Sequence, residues 1–194
     1  DLNQRWLQAN LQMTQAAYVR FVDESDGLYF LAGREGDPHL PARVKESHDN
    51  VEPSAVSVLV DLQLRLWALG GDATLRAAAE RTLKAVLPAL QSSPRGHAFM
   101  VGVLDRALTP PLHVVLAGEP DSAGLKALQA ALRSHFLPQL DIIAAKADGS
   151  LPLPDAAGSY TVKDGSATAY VCQGLACQPP VSSKEALLEL IRTL

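Results

Sequence analysis

Apolar residues recur at three- and four-residue steps through most of the first half of the chain, which is the spacing of helices buried along one side. This pattern predicts helices over residues 2–23, 56–69, 73–91 and 96–108. The second helix is apolar on most of its faces, which indicates burial on most sides. Ser54 and Asp72 precede the second and third helices, and both are residue types that cap helix N-termini.

A long irregular segment separates the first two helices. Residues 28–31 predict a short extended piece, and residues 32–53 carry the glycines and prolines of a loop. Loops of this length inside a compact domain often bind a ligand or cover a site. We therefore expect this loop to be functional or to cover a site.

The pattern changes to short apolar runs after residue 109, which indicates strands alternating with helices. It predicts strands over 112–118, 140–145 and 167–172, and helices over 122–136 and 182–194. The first two strands are joined by a helix and should be parallel, and Ser182 with Glu185 forms a capping box for the last helix. The predicted fold is α plus α/β: helical hairpins over 1–108, then a small, three-stranded, mostly parallel α/β unit over 109–194.

Composition narrows the function classes. The 194 residues are 47% hydrophobic and 20% charged, with a net charge of −4, as expected for a folded globular protein. No basic block suggests a nucleic-acid surface, and no apolar run is long enough to span a bilayer. The chain starts at Asp1 with no signal-peptide pattern. We interpret it as a fragment, and the pattern slightly favours a cytosolic location.

Both cysteines of the chain, Cys172 and Cys177, lie at the end of the last predicted strand with four residues between them. Three interpretations stay open: two inert buried residues, a reversible redox pair, or part of a metal site. Gly174 lets the chain turn back, so a disulfide is geometrically possible. No second Cys/His pair completes a zinc set, and we expect neither a metal nor a cofactor.

The long loop carries the candidates for acid–base chemistry. His48 is a candidate catalytic histidine, and Asp49 with Glu52 is a candidate carboxylate pair for glycoside chemistry. A solvated loop is the commoner role for such residues. Tyr29, Phe30 and Trp67 are candidates for a saccharide-binding face, although aromatic residues more often lie in a core.

Four segments of the chain also carry a family resemblance. They are 21–30, with F-V-D and G-L-Y-F; 49–57, D-N-V-E-P-S-A-V-S; 69–72, L-G-G-D; and 170–180, Y-V-C-Q-G-L-A-C-Q-P-P. Together they resemble the C-terminal part of the spermatogenesis-associated thioredoxin-like family, whose bacterial members are thioredoxin domain-containing proteins. The last segment is the most specific of the four.

The resemblance implies an architecture larger than this chain. In that family a thioredoxin-like domain precedes an (α/α) toroid similar to six-hairpin glycosidases and sugar epimerases. Residues 1–108 would be the closing hairpins of such a toroid, and 109–194 the family's C-terminal appendage. The partners would be the missing thioredoxin-like domain and the remaining toroid. Asp49, Glu52 and Ser54 would lie near the toroid mouth.

The chain departs from the family in one motif. Ala55 and Val56 stand where the family's P-S-G-N-S has Gly and Asn, and valine cannot make the hydrogen bonds of an asparagine amide. A polar pocket formed there would be weakened. This departure favours a non-catalytic scaffold whose exposed apolar helix faces form a homodimer. A thiol-redox accessory that uses the two cysteines is a further alternative to a glycosidase-like region.

Overall fold

A computed structural model describes residues 4–36, 39–153, 158–174 and 176–193. Over these residues the protein is mixed α/β, with six α-helices and one four-stranded sheet. The chain divides into two compact units. We call Gln8–Trp67 with Asp72–Thr109 the helical unit, and the unit built mainly from Pro110–Leu194 the α/β unit.

The four predicted helices of the first half are present. They are α1 (Gln4–Phe21), α2 (Ala55–Gly70), α3 (Ala73–Ser92) and α4 (Ala98–Leu108), the last preceded by a 3₁₀ turn, Pro94–His97. Leu2, which begins the predicted first helix, lies outside the described residues. Both predicted caps are confirmed: Ser57 N donates to Ser54 Oγ at 3.1 Å, and Thr74 N donates to Asp72 Oδ1 at 2.8 Å.

One apolar cluster forms the core of the helical unit. It is made by the inner faces of α2, α3 and α4 together with the segment that follows α1. Its members include Val22, Tyr29, Val56, Val60, Leu64, Ala79, Leu83, Val86, Met100 and Val103. The predicted extended piece at 28–31 is held by isolated antiparallel bridges, Val22 to Tyr29 and Phe30 to Lys45. This pairing fixes the loop between α1 and α2 onto the core.

The α/β unit contains β1 (Leu112–Ala117), α5 (Ala123–Arg133), β2 (Leu140–Ala144), β3 (Thr168–Gln173), β4 (Ala176–Cys177) and α6 (Lys184–Arg192). The sheet order is β2-β1-β3-β4. One face of the sheet shares an apolar cluster with α5 and α6, centred on Val114, Leu116, Leu128, Val171 and Leu187. These side chains alternate along β1 and β3, as the two-residue period of a strand requires.

The expected three-stranded, mostly parallel sheet is wrong in two respects. The β1–β2 pair is parallel as predicted, but β3 runs antiparallel to β1, and a fourth strand pairs antiparallel with β3. A parallel return needs a crossover, usually a helix. Residues 145–153 and 158–167 contain no helix. The fourth strand has two residues, too few for a periodic signal.

The N-cap of the last helix lies one residue later than predicted. Ser183, and not Ser182, is the N-cap, because Ala186 N donates to Ser183 Oγ at 3.2 Å. The chain is still extended before it, since Val181 pairs with Ala169 of β3. The Ser182 hydroxyl lies 3.4 Å from Thr168 Oγ1 instead. None of the described helices is long and apolar enough to cross a membrane.

Candidate functional site

The predicted loop between α1 and α2 is organised around the buried carboxylate of Asp49. Oδ1 accepts hydrogen bonds from Ser54 N at 2.8 Å and from Ser57 Oγ at 2.9 Å. Oδ2 accepts from Phe99 N at 2.9 Å and from Met100 N at 3.2 Å. Asp49 therefore binds the N-terminal ends of α2 and α4 together, although α4 lies about fifty residues further along the chain.

These contacts also set the charge state of Asp49. Burial raises the pKa of its carboxyl group, but the four hydrogen bonds outweigh burial, so the pKa lies below its ordinary value. Two helix N-termini add the favourable ends of their dipoles to the ionised form. Because both oxygens are occupied, the geometry makes Asp49 a structural anchor of the loop.

A polar cleft of about 370 Å³ lies along this loop. Its lining includes Glu46, His48, Asn50, Glu52 and Ser54, with Leu31 and Ala55 at its apolar side. No lysine or arginine lines it among the described residues, so its polar surface is acidic. Glu46 was not predicted as a site residue, and only its nearness in sequence to His48 could have indicated it.

The structure separates the predicted carboxylate pair. Glu52 is exposed and lines the cleft, whereas Asp49 is only 8% exposed and does not line it. His48 is exposed at the cleft, and its ring makes an edge contact with His97 at 5.4 Å between centroids. The two carboxylates that share the cleft are Glu46 and Glu52. Catalysis by His48, Asp49 or Glu52 stays a prediction.

An apolar groove adjoins the cleft, and the two share Leu31 and Ala55. The groove, of about 480 Å³, runs between α1 and α2 and includes Met13, Tyr29 and Phe30. Val56 lines it and is buried, so the second residue at which the chain departs from the motif it resembles is part of an apolar surface.

The predicted aromatic residues are partly occupied by other contacts. Tyr29 is 4% exposed, and its hydroxyl accepts a hydrogen bond from Gln63 Nε2 at 3.0 Å. The Phe30 ring carries the Arg43 guanidinium 3.9 Å from its centroid and the Lys45 ammonium at 4.7 Å. Neither ring lines the polar cleft. Stacking of a saccharide on them stays a prediction.

The two cysteines form a disulfide across β3 and β4, where Cys172 and Cys177 are directly paired. Cys172 is fully buried, and Cys177 is exposed. The interpretation as two buried residues is therefore wrong for Cys177. A hairpin explains this asymmetry, because β3 lies inside the sheet while β4 is its two-residue edge.

Two polar residues that lie in register with the disulfide across the sheet were not predicted as site residues. His113 of β1 is the registered neighbour of Cys172 on one side and of Asp141 on the other. His113 and Asp141 are both buried, at 8% and 6% exposure. A signal for them existed: each is the lone polar residue at the second position of an otherwise apolar predicted strand. No His, Cys, Asp or Glu cluster able to hold a metal was found in the described ranges.

Replacing Asp49 with Asn should destabilise the protein. At neutral pH we expect a loss of about 1.5–3 kcal/mol in the free energy of unfolding, the usual worth of hydrogen bonds to a charged group. A carboxyl group whose pKa is lowered by folding stabilises the protein above its unfolded pKa, and this contribution is lost as pH falls through the folded pKa. The difference between wild type and variant should therefore shrink below about pH 4. Denaturant unfolding across pH measures both effects.

Glu52→Gln, at the exposed rim of the same cleft, is the matched control for Asp49→Asn. It removes a carboxylate from the same loop and should change the free energy of unfolding by less than about 0.5 kcal/mol. An Asp49→Asn variant as stable as wild type at neutral pH would contradict the anchoring role.

Comparison with known proteins supports the family resemblance of the four sequence segments. The chain is 29% identical over 190 residues to Spermatogenesis-associated protein 20 of Homo sapiens and, equally, of Rattus norvegicus, which covers 96% of this chain. It is 25% identical over 162 residues to an uncharacterized protein of Caenorhabditis elegans. No family model matches the chain.

The chain spans about a quarter of the length of these curated relatives, since the match covers 24% of the first two and 22% of the third. The resemblance to the spermatogenesis-associated family is thus confirmed, and the match is consistent with a C-terminal part of that family.

Proposed function

We propose that this chain is the C-terminal region of a larger glycosidase-like protein. In this proposal its helices complete an (α/α) toroid, and its polar cleft contributes to a saccharide-binding pocket. The polar cleft is the observation that carries the proposal. It gathers carboxylate, amide, imidazole and hydroxyl groups from one short loop. On its own the region would lack a complete active site.

The cleft has the chemistry that a saccharide requires. Carboxylates accept hydrogen bonds from sugar hydroxyls, and the Asn50 amide both donates and accepts them. Glu46 and Glu52 supply two carboxylates at the same cleft, and glycoside hydrolysis uses a pair of carboxyl groups. Asp49 holds the loop in place from beneath. The proposal thereby assigns binding and catalysis to Glu46 and Glu52, and it assigns the anchoring of the loop to Asp49.

The apolar surface of the helical unit supports the proposal that its helices belong to a larger toroid. Met13 of α1 and Val58 of α2 both line the apolar groove and are 66% and 41% exposed. An exposed apolar groove of this kind is usually covered by a partner. The relatives are about four times longer than the match, so we assign the cover to the remaining helices of the larger protein.

The saccharide proposal predicts a specific effect of Glu52. In the full-length protein, Glu52→Gln should weaken binding of a monosaccharide panel (glucose, mannose and N-acetylglucosamine) by about tenfold, the cost of one lost hydrogen bond to a charged group. Ligand-detected NMR titration measures this. Glu35→Gln, at an exposed position that does not line the cleft, is the matched control. Unchanged binding in Glu52→Gln, or no binding by wild type, would contradict the proposal.

If the remaining helices of the larger protein cover the apolar groove, a cysteine placed in the groove should be labelled differently in the short chain and in the full-length protein. A Met13→Cys variant should react readily with a maleimide in the 194-residue chain and be protected in the full-length protein. Phe136→Cys, at a side chain 92% exposed in the α/β unit, should react in both. Equal labelling of Met13→Cys in both contexts would contradict the covering. Protection in the short chain that disappears on dilution would indicate the homodimer and scaffold alternative instead.

A second candidate function is a thiol-redox accessory, which the disulfide favours. The bond joins a buried sulfur to one on an exposed edge strand, so a reducing thiol has access to Cys177. In the larger protein the exchange partner would be the thioredoxin-like domain.

Thiol exchange by this pair is tested with a single substitution. Cys172→Ala should abolish reoxidation of the reduced chain by oxidised glutathione to an intramolecular disulfide, and leave Cys177 as a mixed disulfide. Mass spectrometry of the quenched products measures this. If wild type is not reduced by dithiothreitol under native conditions, the pair is structural and the redox candidate fails.

A further inference from the structure

Four chemically active residues follow one another across the sheet of the α/β unit. Asp141 of β2 is in register with His113 of β1, His113 with Cys172 of β3, and Cys172 with Cys177 of β4. We call these residues the polar row. Residues in direct register lie on the same face of a sheet, with Cβ atoms about 4.5–5.5 Å apart in antiparallel pairs. The row therefore continues from a carboxylate through an imidazole to the disulfide.

The polar row is buried except at one end, where Cys177 is exposed. Asp141, His113 and Cys172 are 6%, 8% and 0% exposed, whereas Cys177 is exposed at the edge. The disulfide thus has one sulfur within reach of an external thiol and one beside a buried imidazole. An attacking thiol would meet Cys177, and the electron pair of the broken bond would leave on Cys172.

His113 contains an atom that needs an explanation. Its Nδ1 is buried and has no hydrogen-bond partner in the oxidised protein. A buried polar atom without a partner costs about 1–3 kcal/mol, so such atoms are rare in folded proteins. A disulfide sulfur has no hydrogen to donate, but the thiol of reduced Cys172 has one. Reduction would supply the missing partner.

We propose that His113 is the proton-exchange partner of Cys172 in thiol–disulfide exchange, and that Asp141 is a positioning residue for the His113 ring. The inference rests on the thiol-redox candidate function. It assigns a role to the unpartnered Nδ1 of the buried imidazole and to the register that places the ring beside the inner sulfur.

The reduction step balances with a dithiol as the reductant. One thiolate of the dithiol attacks Cys177 Sγ, a mixed disulfide forms, and the Cys172–Cys177 bond breaks with its electron pair on Cys172 Sγ. His113, which holds the proton given up by the attacking thiol, passes it to that sulfur. The second sulfur of the dithiol then displaces Cys177. The dithiol ends as a disulfide, and both of its protons end on the two cysteines.

The same imidazole serves the reverse direction. In the reduced protein, the exposed Cys177 attacks the disulfide substrate and forms a mixed disulfide with it, which releases the first substrate sulfur as a thiol. Neutral His113 accepts the Cys172 proton, and the resulting Cys172 thiolate attacks Cys177 Sγ. The Cys172–Cys177 bond forms, and the second substrate sulfur leaves as a thiol. Burial lowers the pKa of His113, and the Asp141 carboxylate, the charged group that acts on it electrostatically, opposes this shift. The net lowering leaves the ring neutral at neutral pH, which is the form that accepts a proton.

Reoxidation kinetics of the reduced full chain test the role of His113. With oxidised glutathione as the probe, His113→Gln should slow formation of the Cys172–Cys177 bond by about tenfold or more near pH 7, the lower range of general-base effects. The deficit should shrink above about pH 9, where the thiol ionises without help. His135→Gln, in the same unit but outside the polar row, should match wild type at every pH. Asp141→Asn should show a smaller deficit.

A second measurement avoids any variant. Imidazole nitrogen NMR shifts of wild type should move at His113 Nδ1 when the disulfide is reduced with dithiothreitol, because the thiol becomes its hydrogen-bond donor. The nitrogens of His135 should stay in place. Unchanged His113 shifts, or wild-type kinetics in His113→Gln, would overturn the inference while leaving the redox candidate intact. A wild-type disulfide that resists reduction in the folded chain would overturn both.

Discussion

Asp49 makes the interaction on which the helical unit depends, because one carboxylate closes two helix N-termini at once. The first turn of each helix leaves backbone N–H groups without partners, and Asp49 accepts from Ser54 beside α2 and from Phe99 and Met100 of α4. His97, the N-cap of α4, makes no capping hydrogen bond with its own side chain. The loop is therefore tied to α4 by a contact that spans fifty residues.

This anchor explains why the cleft and the groove lie side by side. Holding Asp49 beneath the loop directs Glu52 and His48 outward, and it brings Ala55 to the boundary between polar and apolar surface. Ala55 lines both surfaces, and Val56 lines the apolar groove. Val56 adds to the apolar groove, so the polar chemistry of this region rests on the loop before α2 and not on the helix itself.

In the α/β unit, strand register brings residues from distant segments together, as Asp49 does in the helical unit. The apolar positions of β1 and β3 face α5 and α6. The alternate positions place His113 beside Cys172 on the opposite face. A shift of one residue would move every side chain to the other face, so the packing of the apolar face also sets the neighbours of the disulfide. The same register therefore sets both the packing of the core and the place of His113 beside Cys172.

The sequence by itself determined the local structure: the four helices of the first half, the caps Ser54 and Asp72, and the parallel β1–β2 pair. Those features depend on residues close together in the chain, and short-range periodicity is enough to specify them. Tertiary structure alone decided that Asp49 anchors α4, that β3 runs antiparallel, and that Asp141, His113 and Cys172 are neighbours. Each of these depends on contacts between distant segments. Their geometry follows from how apolar faces pack, which no local pattern records.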